Sequence, residues 1–427
     1  MNNKVEINKG KLSAESTSLY KTEKNMNNKP KVVLAFSGGL DTSYCVKYLS
    51  IEKKLEVHSA IVDTGGFSAE ELVDIEQRAF ALGVSSHKTL NEVKKYYEKC
   101  IRYLVYGNIL KNNTYPLSVS AERVFQAMAI VSYAKEIGAQ YIAHGSTGAG
   151  NDQVRFDMIF DILAPDIGVI TPIRDQQLSR EAEVEYLQAQ GVEMDASKAR
   201  YSINKGLWGT SVGGQETLNS WDYLPEEAYP TPVQHTEERK IELIFEKGEL
   251  LGLDGHQYEH PVAAIQALQA IAQPYGIGRD THVGDTIIGI KGRVGFEAAA
   301  PVIIIKAHHL LEKHVLTKWQ QYWKEQMANW YGMLLHEGQY LEPVMRNIET
   351  FLVDTQQMVS GTVQLMLAPY RFQLLGISSE HDLMANKFGI YGEMNRAWTG
   401  EDVKGFTKIF GNQSKIFHLV NGEALNG

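Results

Sequence analysis

From Val32 onward the chain alternates short, β-branched apolar runs with longer amphipathic stretches, the pattern of strands and helices in a parallel α/β sheet. Val32 to Phe36 predicts a buried strand, Thr42 to Ser50 a helix, Val57 to Val62 a second strand and Ala69 to Leu82 a second helix. Helical spacing continues over Asn91 to about Leu110 and over Ala121 to Ile137, and Tyr141 to His144 reads as a further strand. Open α/β sheets bind ligands beyond the carboxyl ends of their strands, so the loops after these strands are where chemistry is expected. From about Ala196 the alternation breaks into Gly-rich, aromatic loops and mixed segments, which predicts a second domain. Further on, Trp319, Trp323, Met327 and Trp330 recur near helical spacing, a stripe suited to core or subunit interface rather than to a cofactor box.

Composition narrows the classes. Of 427 residues, 44% are hydrophobic and 22% charged, enough to bury a sizeable core without staples. Lys and Arg number 42 against 51 Asp and Glu, a formal net charge of -9, which lacks the basic footprint of a nucleic-acid binder. Cys45 and Cys100 are the only cysteines, too few for a disulfide scaffold or a zinc ribbon, and a reducing cytoplasm is the natural compartment. No apolar run approaches the length of a membrane span, the longest candidate, Val302 to Ile305, being followed at once by Lys306; a soluble protein is expected. Residues 1–30 are rich in Asn, Lys, Ser and Glu, with no signal-peptide core, and read as a disordered extension. The run MNNK occurs at Met1 and again at Met26; either the folded chain begins near the second copy or the repeat is chance in an Asn- and Lys-rich tract.

Ser37-Gly38-Gly39-Leu40-Asp41-Thr42-Ser43 follows the first strand and opens the first helix. Two glycines let backbone N–H groups approach an anion, the hydroxyls of Ser37, Thr42 and Ser43 add donors, and the helix N-terminus contributes its positive dipole end. The bland alternative is a tight turn with Asp41 or Thr42 capping the helix. No Lys lies in the loop, and the Walker pattern of common kinases and ATPases is absent. The run resembles the PP-loop of enzymes that split ATP into AMP and pyrophosphate.

A second glycine-rich loop, His144-Gly145-Ser146-Thr147-Gly148-Ala149-Gly150-Asn151-Asp152-Gln153-Val154-Arg155-Phe156, follows the later strand. Asp152 suits an ammonium, and Arg155 or Thr147 a carboxylate or carbonyl, so the cluster fits a zwitterion. His144, ending a strand, reads as a scaffold residue rather than a general base. Between the loops, Tyr115 to Arg123 leads into a helix, with Ser120 as a candidate N-cap; the same helix start, with the Tyr115 and Ser120 hydroxyls, is a ready site for a ligand carboxylate.

Taken in this order and spacing, the three segments resemble the argininosuccinate synthase family. The likeness extends through Tyr201-Ser202, Gly209-Thr210-Ser211, Gly276 to Arg279 and Ile288 to Lys291. It implies a Rossmann-like parallel-sheet nucleotide domain of the PP-loop kind, over 31–195. It also implies an α+β synthetase domain over 196–385, with citrulline-site and oligomerising roles, and a C-terminal oligomerisation tail over 386–427. The implied reaction is ATP-dependent ligation of citrulline and L-aspartate in arginine biosynthesis, through a citrulline adenylate, with release of AMP and pyrophosphate. By motif position, Ala35, Phe36, Ser37, Gly38, Gly39, Leu40, Asp41, Thr42, Ser43, Val62 and Gly145 would bind ATP with Mg2+, and Thr147, Asn151 and Asp152 would hold aspartate. Citrulline would fall to Tyr115, Ser120, Asn151, Arg155, Ser202 and Ser211, and Asp41, Asn151 and Arg155 would carry the catalytic roles. No metal site of protein ligands is expected; His308, His309 and His314 read as structural or solvated. A homotetramer, with contact surface from Trp319 to Trp330 and Phe406 to Val420, is implied, with neither nucleic acid nor membrane as partner.

One departure bears on substrate. The family completes its citrulline pocket with a Glu and, twelve residues later, a Tyr; here Gly284 and Phe296 stand at those positions. A carboxylate and a hydroxyl are missing, with Asp285 next door as a shorter, shifted substitute. Two readings follow: free citrulline in a rearranged pocket, or an N-acylated citrulline that uses the added room. Among other classes, a tRNA-thiolating PP-loop enzyme would want a basic surface and catalytic cysteines, and a nucleotide-binding module would leave the second loop and the paired serines unexplained.

Overall fold

A computed structural model describes residues 29–193, 201–386, 388–393 and 397–425. The N-terminal extension, through residue 28, and the expected domain boundary near 195 lie outside the described residues, as does Lys387 beside the expected start of the tail.

Five parallel strands form the first sheet: β1 (Lys31–Ala35), β2 (Glu56–Asp63), β3 (Ser86–Asn91), β4 (Tyr141–Ala143) and β5 (Gly168–Ile170), in the order β3-β2-β1-β4-β5. Residues alternate across its faces. Val33, Ala60, Val62 and Ile142 join the main core with helix Glu122–Glu136, whereas Val32, Leu34 and Val57 join a second core with helix Leu40–Ile51. Helices therefore cover both faces, and the chain reverses direction between β1 and β4, the switch point at which such sheets open a crevice. The helix Ala69–Leu82 runs as its sequence predicts, fixed at its start by a reciprocal Ser68/Glu71 capping box and ended by Gly83 at φ 96°. Two strands, the polar β3 and the very short β5, escape hydrophobic patterning: the burial of β3 is weak and irregular, and β5 is a three-residue edge strand that is largely exposed. The helical stretch expected from Asn91 begins instead at Val93 and carries a π-turn over Tyr97–Ile101.

Beyond residue 201 the strands are antiparallel. A four-stranded sheet, order β11-β12-β7-β6, joins β6 (Ser202–Gly206), β7 (Gly209–Gly213), β11 (Arg279–Asp285) and β12 (Lys291–Glu297). A five-stranded sheet, order β10-β9-β8-β13-β14, joins β8 (Arg239–Glu246), β9 (Glu249–Leu253), β10 (His256–Gln257), β13 (Gly361–Ala368) and β14 (Arg371–Ser378). The apolar helix Ala299–Val315 packs between them and the first half.

The β6–β7 hairpin docks on the first sheet's strand ends. Leu207 N–H donates to Thr64 O at 3.0 Å, and the buried Trp208 indole donates to Pro116 O at 2.9 Å. The approach is close enough to need glycine, since a Cβ on Gly66 would lie 2.2 Å from Lys205 O. This contact brings Ser202, Asn204 and Ser211 over the crevice. At the other end of the chain, helices Gly400–Phe410 and Asn412–Leu425 expose Phe406, Ile409, Phe410, Phe417 and Leu419. The tryptophan stripe also faces outward rather than into the core: Trp319, Trp323 and Trp330 are exposed, and only Met327 packs inward. Among the described residues no helix is long and apolar enough to cross a membrane.

Candidate active site

A cleft of about 1030 Å³ opens where β1 and β4 end side by side, roofed by the four-stranded sheet. The first glycine loop forms one end of it. Gly39 is the N-cap of helix Leu40–Ile51, and no side chain caps that helix. The first-turn N–H groups are thus left for a ligand, and the turn in which Asp41 or Thr42 caps is not what forms. The hydroxyl groups are turned back onto the loop: Ser43 Oγ donates to Gly39 O at 2.7 Å and Thr42 Oγ1 to the same oxygen at 3.3 Å. Gly38, at φ 76°, presents its carbonyl to Arg78 Nη1 at 2.6 Å and faces a smaller hollow behind the loop instead of the main cleft. Ala35, Phe36, Ser37, Gly39, Leu40, Asp41, Thr42, Ser43, Val62 and Gly145 all line the cleft. Gly145 passes so near that a Cβ there would sit 3.2 Å from Asp41 Cβ. Asp41 also meets Glu183 of helix Arg180–Ala189: burial, with the charge and hydrogen bond of Asp41, pushes the Glu183 carboxyl up to about 8, and its Oε2 has no partner.

The second loop supplies the middle of the cleft. Asn151 is the N-cap of helix Asp152–Leu163, and its Oδ1 accepts from Ile287 N–H at 2.8 Å, tying the loop to the second half. Asp152 lies between two guanidiniums, with Arg123 Nε at 2.9 Å and Arg155 Nη1 at 2.8 Å. Burial opposes its charge, but the two arginines outweigh that and hold its carboxyl at about 2. Arg155 is itself buried and gripped by His336 O, which accepts from Nε at 2.9 Å and Nη2 at 2.8 Å. Arg123 also donates to Glu122 at 2.9 Å and Asn204 at 2.8 Å, so one cation links its own helix and that of the second glycine loop to β6. Burial raises the Glu122 carboxyl to about 7, against the pull of Arg123 and a hydrogen bond from Thr64. His144 is a scaffold group: its Nε2 meets Asp157 at 2.9 Å and its Nδ1 accepts from Ser146 N–H at 3.2 Å.

Tyr115, Ser120, Ser202, Ser211 and Gly284 close the far end, and Thr147 stands exposed at the rim. Ser120 is not an N-cap. The helix begins at Glu122 with Ala121 before it, and Ser120 Oγ reaches only Leu117 O, at 3.5 Å. Phe296 does not reach the cleft either; it is buried behind Tyr115, ring centroids 5.3 Å apart. Asp285 also lines the cleft, but it is exposed there and already paired with Lys291 at 2.6 Å. Cys45 and Cys100 are buried and line none of the cleft. Among the described residues there is no cluster of three or more His, Cys, Asp or Glu placed to hold a metal. His308 is bonded through both ring nitrogens, and His314 meets Asp382 at 3.2 Å.

Several lining residues were not singled out by sequence: Arg78, Glu183, Asn204, His282 and His336. Each belongs to a segment without a motif of its own. Only His282 had a local signal, lying two strand positions from Gly284 and hence on the same face.

Comparison with known sequences decides the family. The arginosuccinate synthase N-terminal HUP domain matches residues 31–193, and the arginosuccinate synthase C-terminal domain matches residues 201–417. The chain belongs to the argininosuccinate synthase family. Argininosuccinate synthase of Xanthomonas campestris pv. campestris is 38% identical over 91% of this chain and 98% of its own length. That of Dictyoglomus turgidum is 36% identical over 92% and 98%, and that of Methanocaldococcus jannaschii 34% over 91% and 98%. As a member of this family the chain is an enzyme, a ligase, and its parallel sheet with the glycine loop after β1 is the family's HUP fold.

Proposed function

We propose that this cleft joins a citrulline-type amino acid to L-aspartate at the expense of ATP, with the roles divided along its length. The observation that carries this reading is the single cleft shared by two glycine loops at neighbouring strand ends, spanned by the Arg123–Asp152–Arg155 chain. The pyrophosphate half of ATP sits on the uncapped helix start behind Ser37 to Ser43, with the base toward Phe36 and Val62. The ureido oxygen of citrulline attacks the α-phosphorus and pyrophosphate leaves. The aspartate amine then attacks the ureido carbon, AMP departs, and the amine loses its protons to water. Arg155, fixed by the His336 carbonyl, orients the ureido group, while Asn151, Asp152 and Thr147 hold aspartate. Tyr115, Ser120, Ser202 and Ser211 bind the amino-acid end of citrulline. Positioning and charge compensation suffice for such phosphoryl chemistry, and no side chain has to act as a strong base.

Magnesium accompanies the ATP phosphates and neutralises their charge when bound. The Asp41–Glu183 carboxyl pair, with one buried unpartnered oxygen, is a donor set that fits a hard divalent ion. The division into an ATP domain over 31–195, a synthetase domain over 196–385 and a tail over 386–427 belongs to the same proposal, as does a cytoplasmic setting in which both buried thiols stay reduced. The tail helices, apolar and uncovered, fit the arm of a homotetramer. Deleting the chain after residue 398 is expected to lower the mass seen by light scattering from four copies to fewer; an unchanged mass rejects that role for the arm.

The ligase reading is tested by pyrophosphate release from ATP. Release that requires both aspartate and a citrulline-type substrate supports it; release that depends on tRNA, or that needs neither amino acid, overturns it.

A further inference from the structure

The wall of the cleft beside Tyr115 carries a group that the scheme above leaves idle. On β11, His282 and Gly284 are buried while Val283 and Asp285 are exposed, Asp285 lining the same cleft. His282 is 5% exposed, its imidazole is stacked on Tyr115 with centroids 5.1 Å apart, and neither ring nitrogen has a hydrogen-bond partner. Leaving both polar atoms of a buried ring unpaired is unfavourable unless a ligand pairs them, and this ring lines the cleft. Gly284 is what lets it lie there: a Cβ at 284 would come 2.6 Å from His282 Nε2, so the ring fills the room that a side chain at 284 would need.

The surroundings fix what kind of group the ring can meet. Burial, reinforced by the nearby Lys111 cation, lowers the pKa of His282 and so favours the neutral imidazole. Next to it His336 is also neutral, held at about 2 by burial, Arg155, Lys111 and His282. Two carboxylates of the cleft are already paired, Asp152 with two arginines and Asp285 with Lys291. A primary ammonium placed here would be desolvated beside the Lys111 and Arg155 cations and would have to share carboxylates that are already paired. An amide is neutral, and its N–H or its C=O can pair with one nitrogen of a neutral imidazole, the N–H with the acceptor or the C=O with the donor.

Resting on the ligase reading of this cleft, we propose that His282 is a specificity-determining residue for the acceptor amino acid, and that the substrate class it selects is citrulline with its α-nitrogen acylated. The ring that takes up the space over Gly284 supplies a hydrogen bond for an amide where a carboxylate would have served an ammonium.

Aspartate- and ATP-dependent pyrophosphate release by the full-length enzyme, measured with citrulline, N-acetylcitrulline and N-succinylcitrulline, tests this. An acylated substrate is expected to exceed citrulline in kcat/KM by about ten-fold or more, the equivalent of one hydrogen bond and a removed charge. A preference for free citrulline overturns the proposal and leaves the ligase reading standing; no release with any of the three overturns both. The doubly substituted His282→Ala/Gly284→Glu enzyme, which restores a carboxylate without the clash, is expected to shift the ratio toward free citrulline. His282→Asn is expected to raise KM for the acylated substrate more than it lowers kcat. A ratio and a KM that do not move in these variants also overturn it.

Discussion

Two buried histidines in the second half of the chain show how differently the same side chain is used in the core and at the cleft wall. His308, on the apolar helix Ala299–Val315, is fully buried, and both its ring nitrogens are bonded, Nδ1 to Asn108 at 2.6 Å and Nε2 to Gln356 at 2.8 Å. Around it Glu312 pairs with Lys324 at 2.6 Å, and Gln356 donates to Glu312 at 2.8 Å, so the network closes on itself. His282 is nearly as buried, yet neither of its nitrogens has a partner among the described residues. A closed network stabilises the fold and needs no ligand; an open one at a cavity wall is completed by what binds there. The contrast can be broken at three points.

The largest effect is expected at Arg155, which belongs to both worlds. It is tied to the His336 carbonyl as firmly as a core residue, yet it lines the cleft. Arg155→Ala leaves that carbonyl short of two donors and Asp152 with one guanidinium instead of two. A fall of about a thousand-fold in kcat/KM is expected, roughly 4 kcal/mol, from removing one member of a buried, hydrogen-bonded charge pair. Steady-state kinetics of pyrophosphate release checks this; a loss under ten-fold would show that the arginine merely braces the helix end.

Next comes His308→Phe, which keeps a ring in place but strands the Asn108 and Gln356 side chains. Each buried orphan costs about 1–3 kcal/mol, so a loss of roughly 3 kcal/mol in a denaturant titration is expected. The pH dependence gives a second reading. Burial lowers His308 to about 4, below the value near 6.5 that the unfolded chain restores. Between those values the unfolded state binds the extra proton, so this contribution is complete above pH 6.5. It declines by up to about 3 kcal/mol as the pH falls toward 4. His308→Phe is expected to flatten that acid limb, and a variant whose acid limb matches the parent's would remove His308 from the account.

How much of this was legible in the sequence follows from how each part is assembled. The proposed nucleotide end is built from contiguous residues, Ser37 to Ser43, because a strand-to-helix turn can offer a phosphate its own backbone; such a site must appear as a run. The acceptor end draws Tyr115, Arg155, Ser211 and His282 from separate segments, and strand register in a sheet that encodes no motif brings them together. Resemblance to a family located most of these positions. It could not show that Phe296 falls behind Tyr115, nor that the ring of His282 would fill the space over Gly284. Ser120 looked like an N-cap because Ser before an amphipathic run usually is one, but the helix starts later and the hydroxyl stays on the cleft side. The short strands β3 and β5 carry too little buried apolar surface to announce themselves.

The smallest effect on stability is expected from the same substitution at the other histidine. His282→Phe keeps a ring against Tyr115 while deleting two polar atoms that have no partner among the described residues, and replacing such atoms by apolar ones is close to neutral. Unfolding free energy is expected to stay within about 1 kcal/mol of the parent, against the roughly 3 kcal/mol lost at His308. If His282→Phe proves as damaging to the fold as His308→Phe, the ring is a core residue and its open nitrogens carry no message about ligands. If the fold is indifferent while kcat/KM for the citrulline-type substrate drops, the imidazole's polar atoms matter only when that substrate is present, and the difference between the two histidines is one of function.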